Sequence, residues 1–267
     1  GLVANAPHMP VHLGSMSESV RAVLRARGER LRPGDAIALN NPYNGGTHLP
    51  DVTVVMPVFD RAGRLVFLTG ARAHHADIGG TTPGSMPADS THIDEEGVLF
   101  DDFTLMEQGR LKERELRELL ASGPHPARNP DQNVADLQAQ IAACHKGAAA
   151  ILDMVEQFGL DVVQAYMRHV QDNAAEQVRR VLDRLGDGTF TYANDMGHEI
   201  RVAVTVDRAG RRAKIDFTGT SRQQPNNFNC PAAVCRAAVL YVFRTLVEAD
   251  IPMNEGCLEP LDLVIPE

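Results

Sequence analysis

The sequence predicts a mixed α/β fold of the α+β type, with antiparallel β-hairpins and a long helical pair packed on the sheet. Paired runs rich in Val, Leu and Phe, joined by short turns that end in Gly, indicate hairpins over residues 52–71 and 199–217. Apolar side chains at helical spacing over residues 133–185 indicate two long helices. With 267 residues, 43% of them hydrophobic, the chain is long enough to bury a large core.

The N-terminal region begins with an extended segment punctuated by prolines, residues 1–16. We predict a helix over residues 17–27 with Ser17 as its N-cap, because a Ser hydroxyl accepts a hydrogen bond from a free amide of the first turn. After a turn, residues 36–40 form a short buried strand. Residues 40–50 are rich in Asn, Gly and Pro, which predicts a loop.

In the first predicted hairpin, a four-residue turn joins the two strands, so that the last residue of the first strand pairs with the first residue of the second. This register sets Asp51 opposite Arg72 and Leu49 opposite His74. Opposed residues of an antiparallel pair lie about 4.5–5.5 Å apart. We therefore expect His48, Asp51 and His74 to converge at the open end of the hairpin, provided that the register does not slip by one residue.

The remaining helices, strands and loops are predicted from the spacing of apolar residues and from Gly, Pro and other turn residues. The loop of residues 79–102 is long, rich in Gly, Thr and Ser, and close to the histidines, so we expect it to bind a ligand. Gly159 separates the two long helices. The predicted helices cover residues 113–120, 133–158, 161–185 and 232–247, and the predicted strands cover residues 52–59, 64–71, 189–193, 199–206, 213–217 and 261–265.

We divide the chain into three regions that together form one continuous domain. They are an N-terminal α/β region with the site loops (1–130), a helical pair (131–186), and a β-hairpin region with a C-terminal helix and strand (187–267).

The composition excludes several function classes. A net charge of -9, with Lys and Arg scattered among acids, disfavours a nucleic-acid surface. No apolar run is long enough to cross a bilayer and no charged-then-apolar leader opens the sequence, so we expect a soluble protein with no membrane partner. Four cysteines without a C-x-x-C pair fit buried free thiols in a reducing compartment, for which the cytoplasm is the default. The chain lacks an initiator Met and stops as a strand finishes, so we expect a fragment of a longer polypeptide.

Two short His-x-x-Asp units flank the first hairpin, His48 with Asp51 and His74 with Asp77. Imidazole nitrogens and carboxylate oxygens are favoured ligands of first-row divalent metals, so the two units predict a metal site. The alternative is hydrogen-bonded loop histidines, because two such units also arise by chance in a chain with 10 His and 35 acidic residues. Further candidates lie nearby in sequence: His8, His12, His75 and His92.

Other catalytic motifs are absent from the sequence. There is no G-x-S-x-G, and Ser85 and Ser90 have no assigned base, which argues against nucleophilic hydrolysis. Neither G-x-x-x-x-G-K-[ST] nor G-x-G-x-x-G occurs, so any ATP would have to be used on another chain.

Four runs carry a resemblance to a known family. They are APHMPVHLGSM from Ala6, GDAIALNNPYNGGTHLPDVTVVMPVF from Gly34, ARAHHADIGGTTPGSMP from Ala71 and NPDQNVADLQAQIAAC from Asn129. In this order they resemble the hydantoinase B/oxoprolinase family, which includes the B subunit of ATP-dependent N-methylhydantoinase, the C-terminal half of 5-oxoprolinase and the large subunit of acetone carboxylase. The chain is similar to the middle portion of the longer family subunit.

The resemblance implies a hydrolase that acts on carbon-nitrogen bonds in cyclic amides and works within a hetero-oligomer. A hydantoinase A-type ATPase partner phosphorylates a small cyclic amide or ketone substrate, and the B component completes ring opening by hydrolysis or carboxylation. ATP is then used by the partner and is not bound by this chain.

The resemblance also implies roles for particular residues. In the acetone carboxylase branch a His-x-x-Asp unit and a later His hold manganese, and these map onto His48, Asp51 and His74, with Mn, Zn and Fe as candidate ions here. Asp77 is then expected to orient a ligand His or to act as general base.

Three further histidines, His8, His12 and His92, are expected as proton shuttles or substrate contacts, with structural loop histidines as the alternative. His74 is preferred to His75 as a ligand because related sequences often have Trp at the second position. The family commonly has Asp where this chain has Asn41, so Asn41 is expected to be a turn residue.

Three other interpretations of the function stay open at this stage. The chain could belong to the large subunit of a ketone carboxylase, or be a non-catalytic scaffold for the ATPase partner. It could also be a stand-alone metallohydrolase that needs neither ATP nor a partner.

Overall fold

The computed structural model describes residues 1–6 and 8–266. Within these residues the chain forms five α-helices and nine β-strands in two mostly antiparallel sheets, which confirms the predicted α+β class. The helices are α1 (Pro10–Arg27), α2 (Glu113–Leu120), α3 (Pro130–Phe158), α4 (Leu160–Leu182) and α5 (Ala232–Leu246). The strands are β1 (Ala36–Leu39), β2 (Asp51–Phe59), β3 (Leu65–His74), β4 (Phe103–Glu107), β5 (Arg110–Leu111), β6 (Gly188–Ala193), β7 (Glu199–Asp207), β8 (Arg212–Asp216) and β9 (Leu261–Val264).

The chain divides into two compact units. The hairpin unit comprises Ser15–Leu160 and Pro225–Ala233, and the terminal unit comprises Gly1–Gly14, Asp161–Gln224 and Val234–Glu267. The units interleave along the chain, whereas the three regions proposed from the sequence follow chain order.

The hairpin unit is built on an antiparallel sheet of five strands in the order β3-β2-β1-β4-β5. Because successive side chains of a strand face opposite sides, β2 contributes to two layers of core. Val52, Val54 and Met56 belong to one core cluster together with residues of α3. Val55 belongs to another, together with residues of α1. Strand β2 is consequently buried along all but its last residue.

The first hairpin is confirmed, but its predicted register is wrong. Asp51 lies opposite His74 and Thr53 lies opposite Arg72, and the register shifts between Val58 and Phe59. Phe59 lies opposite Leu65, so the turn is one residue longer than predicted, and a bulge at Val58 and Phe59 adds the second residue. A sequence pattern reveals neither feature. The error amounts to two residues along one strand, and a shift of two keeps every side chain on its predicted face.

The terminal unit has a four-stranded sheet in the order β6-β7-β8-β9, in which β8 and β9 are parallel. A parallel pair needs a crossover connection, and α5 lies in the connection between these two strands. Apolar residues of α4 and α5 form one core cluster with residues of β8. The two long helices joined at Gly159 are therefore present as predicted, with α3 packed on the first sheet and α4 on the second.

Two helices begin several residues earlier than predicted. Helix α1 starts at Pro10 instead of Ser17, and the carbonyl of Met9 accepts from the amides of His12 and Leu13. Helix α3 starts at Pro130, behind an Asn129 side chain that accepts from the amide of Gln132. In both cases a proline that lies outside the predicted helix occupies the first helical position, where its missing N–H has no cost.

Two further features differ from the sequence-based predictions, one strand pair and the burial of the cysteines. The antiparallel pair of the short strands β4 and β5 was not predicted. All four cysteines are free, but Cys230 is exposed and Cys235 is only partly buried, so the expectation of buried thiols holds for Cys144 and Cys257 alone. No helix in the described part of the chain combines the length and the apolar character needed for a bilayer span.

Candidate metal centre

The loop between β1 and β2 carries the first His-x-x-Asp unit, and Asn40 fixes its shape. The buried Asn40 side chain donates from Nδ2 to the carbonyls of Leu49 (2.8 Å) and Val98 (3.0 Å). Its Oδ1 accepts from the amide of Phe100 (2.8 Å). A Cβ at Gly46 would come within 2.3 Å of the Asn40 carbonyl oxygen, so the loop also requires glycine there.

The carboxylate of Asp51 lies between two imidazoles. Its Oδ2 is 2.7 Å from His48 Nδ1, and its Oδ1 is 3.2 Å from His74 Nδ1. The centroids of the two imidazole rings are 5.0 Å apart. Thr47 Oγ1 donates to Asp51 Oδ2 at 2.7 Å. Because Asp51 and His74 are directly opposed in the β2–β3 pair, the sheet itself brings the carboxylate to the second histidine.

The three side chains differ in exposure. The Asp51 side chain is 1% exposed, whereas the side chains of His48 and His74 are 35% and 45% exposed. The carboxylate is therefore enclosed by protein, and an ion or substrate can reach the centre only from the side of the two exposed imidazoles.

The donor set fits a divalent transition metal. Two imidazole nitrogens and one carboxylate oxygen are the ligands that Zn, Fe and Mn accept. Two ligand atoms each about 2.1 Å from one ion, at right angles, are about 3.0 Å apart, close to the spacings that Asp51 makes here. Among the described residues this is the one group of three or more His, Cys, Asp or Glu side chains whose ligand atoms, all within 4.8 Å of one another, could hold a metal ion.

The neighbouring His75 has a different environment. It is 1% exposed and faces α3, where its Nδ1 lies 3.0 Å from Asn133 Nδ2 and its Nε2 lies 3.1 Å from Gln140 Oε1. Because the Asn133 amide donates, Nδ1 is the acceptor and the Nε2 proton points at Gln140. Gln140 Nε2 in turn donates to the carbonyls of Val52 and Ala71, one on each strand of the hairpin. Burial lowers the pKa of His75, which keeps the ring neutral.

Asp77 anchors the loop that follows it. Its carboxylate accepts from the amides of Gly79 (2.9 Å), Gly84 (3.0 Å) and Arg128 (3.1 Å) and pairs with the Arg128 guanidinium at 2.8 Å. Burial raises the pKa of Asp77, but these hydrogen bonds outweigh it and hold the pKa below its usual range. A carboxylate with a depressed pKa is a weak base, so the contacts favour loop anchoring. The catalytic role of Asp77 stays a prediction.

The other two predicted catalytic histidines contact their own neighbours in sequence. His12, in the terminal unit, stacks on His8, with ring centroids 5.0 Å apart and the two Nδ1 atoms 3.1 Å apart. His92 lies before a short 3-10 helix, where its Nδ1 accepts from the amide of Asp94, and its side chain is 69% exposed. Their proton-transfer roles stay predictions.

Two residues beside the centre were missed. Thr47 supplies a hydroxyl to Asp51, and Arg72 lies two residues before His74 on the same face of β3. The period of two along a strand could have identified Arg72, since it places residues 72 and 74 side by side. Asn41 is the expected turn residue, because its Oδ1 accepts from the amide of Tyr43 at 2.9 Å.

Fold and site together define an α+β chain of two sheets with a two-histidine, one-carboxylate centre at the open end of a hairpin. The chain belongs to the hydantoinase B/oxoprolinase family, whose family model matches residues 1–267. This confirms the resemblance carried by the four sequence runs.

Comparison with individual proteins agrees with this assignment. The chain is 45% identical over 290 residues to 5-oxoprolinase 1 of Arabidopsis thaliana, covering 100% of this chain and 23% of that protein. It is 39% identical over 277 residues to 5-oxoprolinase of Saccharomyces cerevisiae, covering 99% of this chain and 22% of that protein. The chain thus spans about a quarter of the length of these relatives.

Two solved structures share the fold. The ATP-dependent caprolactamase from Pseudomonas jessenii matches with a TM-score of 0.85 and 25% identity, over 99% of this chain and 46% of that one. A nucleotide-free acetone carboxylase matches with a TM-score of 0.82 and 17% identity, over 99% of this chain and 37% of that one. At 17% identity the second likeness concerns the fold alone.

Proposed function

We propose that this chain supplies the metal-bearing part of an ATP-dependent cyclic-amide hydrolase of the 5-oxoprolinase type. The observation that carries the proposal is the buried Asp51 carboxylate held between His48 and His74. It occurs in a chain 45% identical to a 5-oxoprolinase and similar in fold to an ATP-dependent caprolactamase. Both of these relatives are named for the opening of a lactam.

The use of ATP is assigned to another component, a hydantoinase A-type ATPase, fused or separate. The sequence contains no glycine-rich phosphate-binding motif of the P-loop or dinucleotide type. Phosphorylation of the lactam by the partner would give an activated, anionic substrate. This chain would complete the hydrolysis of the carbon-nitrogen bond with water, and the phosphoryl group would leave as inorganic phosphate.

Each residue of the centre would have a separate role. His48, Asp51 and His74 hold the divalent ion, and Thr47 fixes the orientation of the Asp51 carboxylate. When bound, the ion supplies a Lewis acid and lowers the pKa of bound water toward about 7. The exposed sides of the two imidazoles leave the substrate an open approach.

A proton must be moved during hydrolysis, and His92, His12 and Asp77 stay the proposed groups. Exposure favours His92, whose side chain is 69% exposed, over Asp77, whose carboxylate is engaged by its own loop.

The test is an assay of the full-length protein together with its ATPase component. We expect hydrolysis of 5-oxoproline that requires ATP and falls at least about 100-fold in His48→Ala/His74→Ala, a loss of two ligands. The control is His145→Ala, which removes an exposed histidine from α3 in the same unit and should leave turnover unchanged.

Other outcomes identify the alternatives. Unchanged turnover in the double variant would assign the chain a scaffold role. Turnover without ATP or partner would indicate a stand-alone metallohydrolase, and bicarbonate-dependent consumption of a ketone would indicate a carboxylase.

A further inference from the structure

Arg72 places a fixed cation on the face of the hairpin that carries the metal centre. It lies opposite Thr53, as His74 lies opposite Asp51, so the two pairs are adjacent on that face. Its Nε donates to Thr53 Oγ1 at 2.7 Å and its Nη2 donates to Ser19 Oγ at 2.6 Å. Its Nη1 donates to the hydroxyl of Ser15.

These three acceptors are fully buried hydroxyls, which carry no charge. They orient the guanidinium without neutralising it. Burial lowers the pKa of Arg72 to about 10, and the negative charge of Asp51 acts in the opposite direction. A guanidinium keeps its proton at neutral pH wherever it lies in a protein, so Arg72 is a cation whose charge acts on Asp51.

The summed charge of these side chains determines whether they neutralise a divalent ion bound in the centre. With neutral imidazoles, the negative charge of Asp51 and the positive charge of Arg72 cancel within the set His48, Asp51, His74 and Arg72. A divalent ion added to this set is not compensated by its own ligands. Charges of one sign repel strongly where water is partly excluded, so the loaded centre favours an additional anion.

We infer that the centre binds its divalent ion together with an oxyanion of the phosphate or carboxylate class, and that the positive charge of Arg72 makes the two bind cooperatively. This inference rests on the proposed metal site and narrows its substrate class to ligands that bring an anionic oxygen. By linkage, the factor by which the anion strengthens ion binding equals the factor by which the ion strengthens anion binding.

The test is a titration with Mn²⁺ of full-length protein from which a chelator has first removed any resident metal, and free Mn²⁺ is counted by electron paramagnetic resonance. The titration is run in chloride buffer, with inorganic phosphate, and with acetate. For the wild type we expect phosphate or acetate to raise the affinity for Mn²⁺ about tenfold or more. The arm that produces the larger effect distinguishes a phosphate-type from a carboxylate-type ligand.

Variants separate charge from hydrogen bonding. Arg72→Gln should bind Mn²⁺ more tightly than the wild type in chloride and should lose most of the anion effect. Arg72→Lys, which keeps the charge, should retain that effect. The matched control is Arg27→Gln, which removes a different arginine of the same unit, one that contacts Asp102 and Thr104, and should leave the anion effect unchanged.

The outcomes also separate this inference from the proposed function. If the wild type binds no Mn²⁺ in any buffer, the metal site itself is refuted. If Mn²⁺ binds with equal affinity with and without the anions, or if Arg72→Gln keeps the full anion effect, the site stands and the role of Arg72 is refuted.

Discussion

Replacing Asn40 by Asp tests how the structure holds the loop of the first His-x-x-Asp unit. The two side chains have the same shape, but a carboxylate cannot make the donations that Asn40 Nδ2 makes to the carbonyls of Leu49 and Val98. It would instead bring a negative charge toward two carbonyl oxygens in a site with no exposure.

The expected loss in the free energy of unfolding follows from the two hydrogen bonds that Asn40 Nδ2 donates. Each buried polar group left without its partner costs about 1–3 kcal/mol, so Asn40→Asp should destabilise the hairpin unit by about 2–6 kcal/mol. Because a domain is stable by only about 5–15 kcal/mol, this is a large fraction of the total. The bound metal should fall with the stability, since the loop carries His48.

The neighbouring Asn41 supplies the matched control. In the described structure its side chain uses only Oδ1, which accepts from the amide of Tyr43, and an Asp retains that acceptor. Asn41→Asp should therefore change stability by less than about 0.5 kcal/mol.

The assay is urea unfolding followed by circular dichroism, with the two compact units allowed separate transitions. A loss below about 1 kcal/mol in Asn40→Asp, or equal losses in the two variants, would refute the reasoning.

Two further predictions concern the groups behind the centre. Gln140→Met should destabilise the protein by about 3–9 kcal/mol in urea unfolding, because it leaves His75 and two strand carbonyls without their partner, at about 1–3 kcal/mol each. An unchanged free energy of unfolding would contradict this network. Asp77 has a folded pKa below its ordinary value, so its stabilising contribution is present above about pH 4 and is lost as the pH falls through the folded pKa. The stability difference between wild type and Asp77→Asn should accordingly shrink between about pH 7 and about pH 3, and a difference that does not change with pH would contradict the role of Asp77 as a charged anchor.

The convergence of His48, Asp51 and His74 could be predicted from the sequence because it depends on strand parity. The predicted register of the first hairpin was wrong, yet Asp51 and His74 still lie on one face, since the error was two residues. The partners of these residues were harder to identify. Gln140 and Asn133 reach His75 from a helix more than fifty residues away, and no local pattern marks such contacts.

The first residues of α1 and α3 show a different limit of prediction from the sequence. Pro10 and Pro130 lie outside the predicted helices, although a proline at the first helical position is favourable. The residue type alone does not distinguish the two cases. The division into two interleaved units and the parallel pairing of β9 with β8 also depend on contacts between distant segments, which a single sequence does not display.

The central claim, that His48, Asp51 and His74 hold a divalent metal, is tested most directly by elemental analysis of protein purified without added metal. We predict close to one equivalent of a first-row metal in the wild type and in the His145→Ala control, and almost none in folded His48→Ala/His74→Ala protein. Equal metal content in the wild type and the double variant would contradict the assignment.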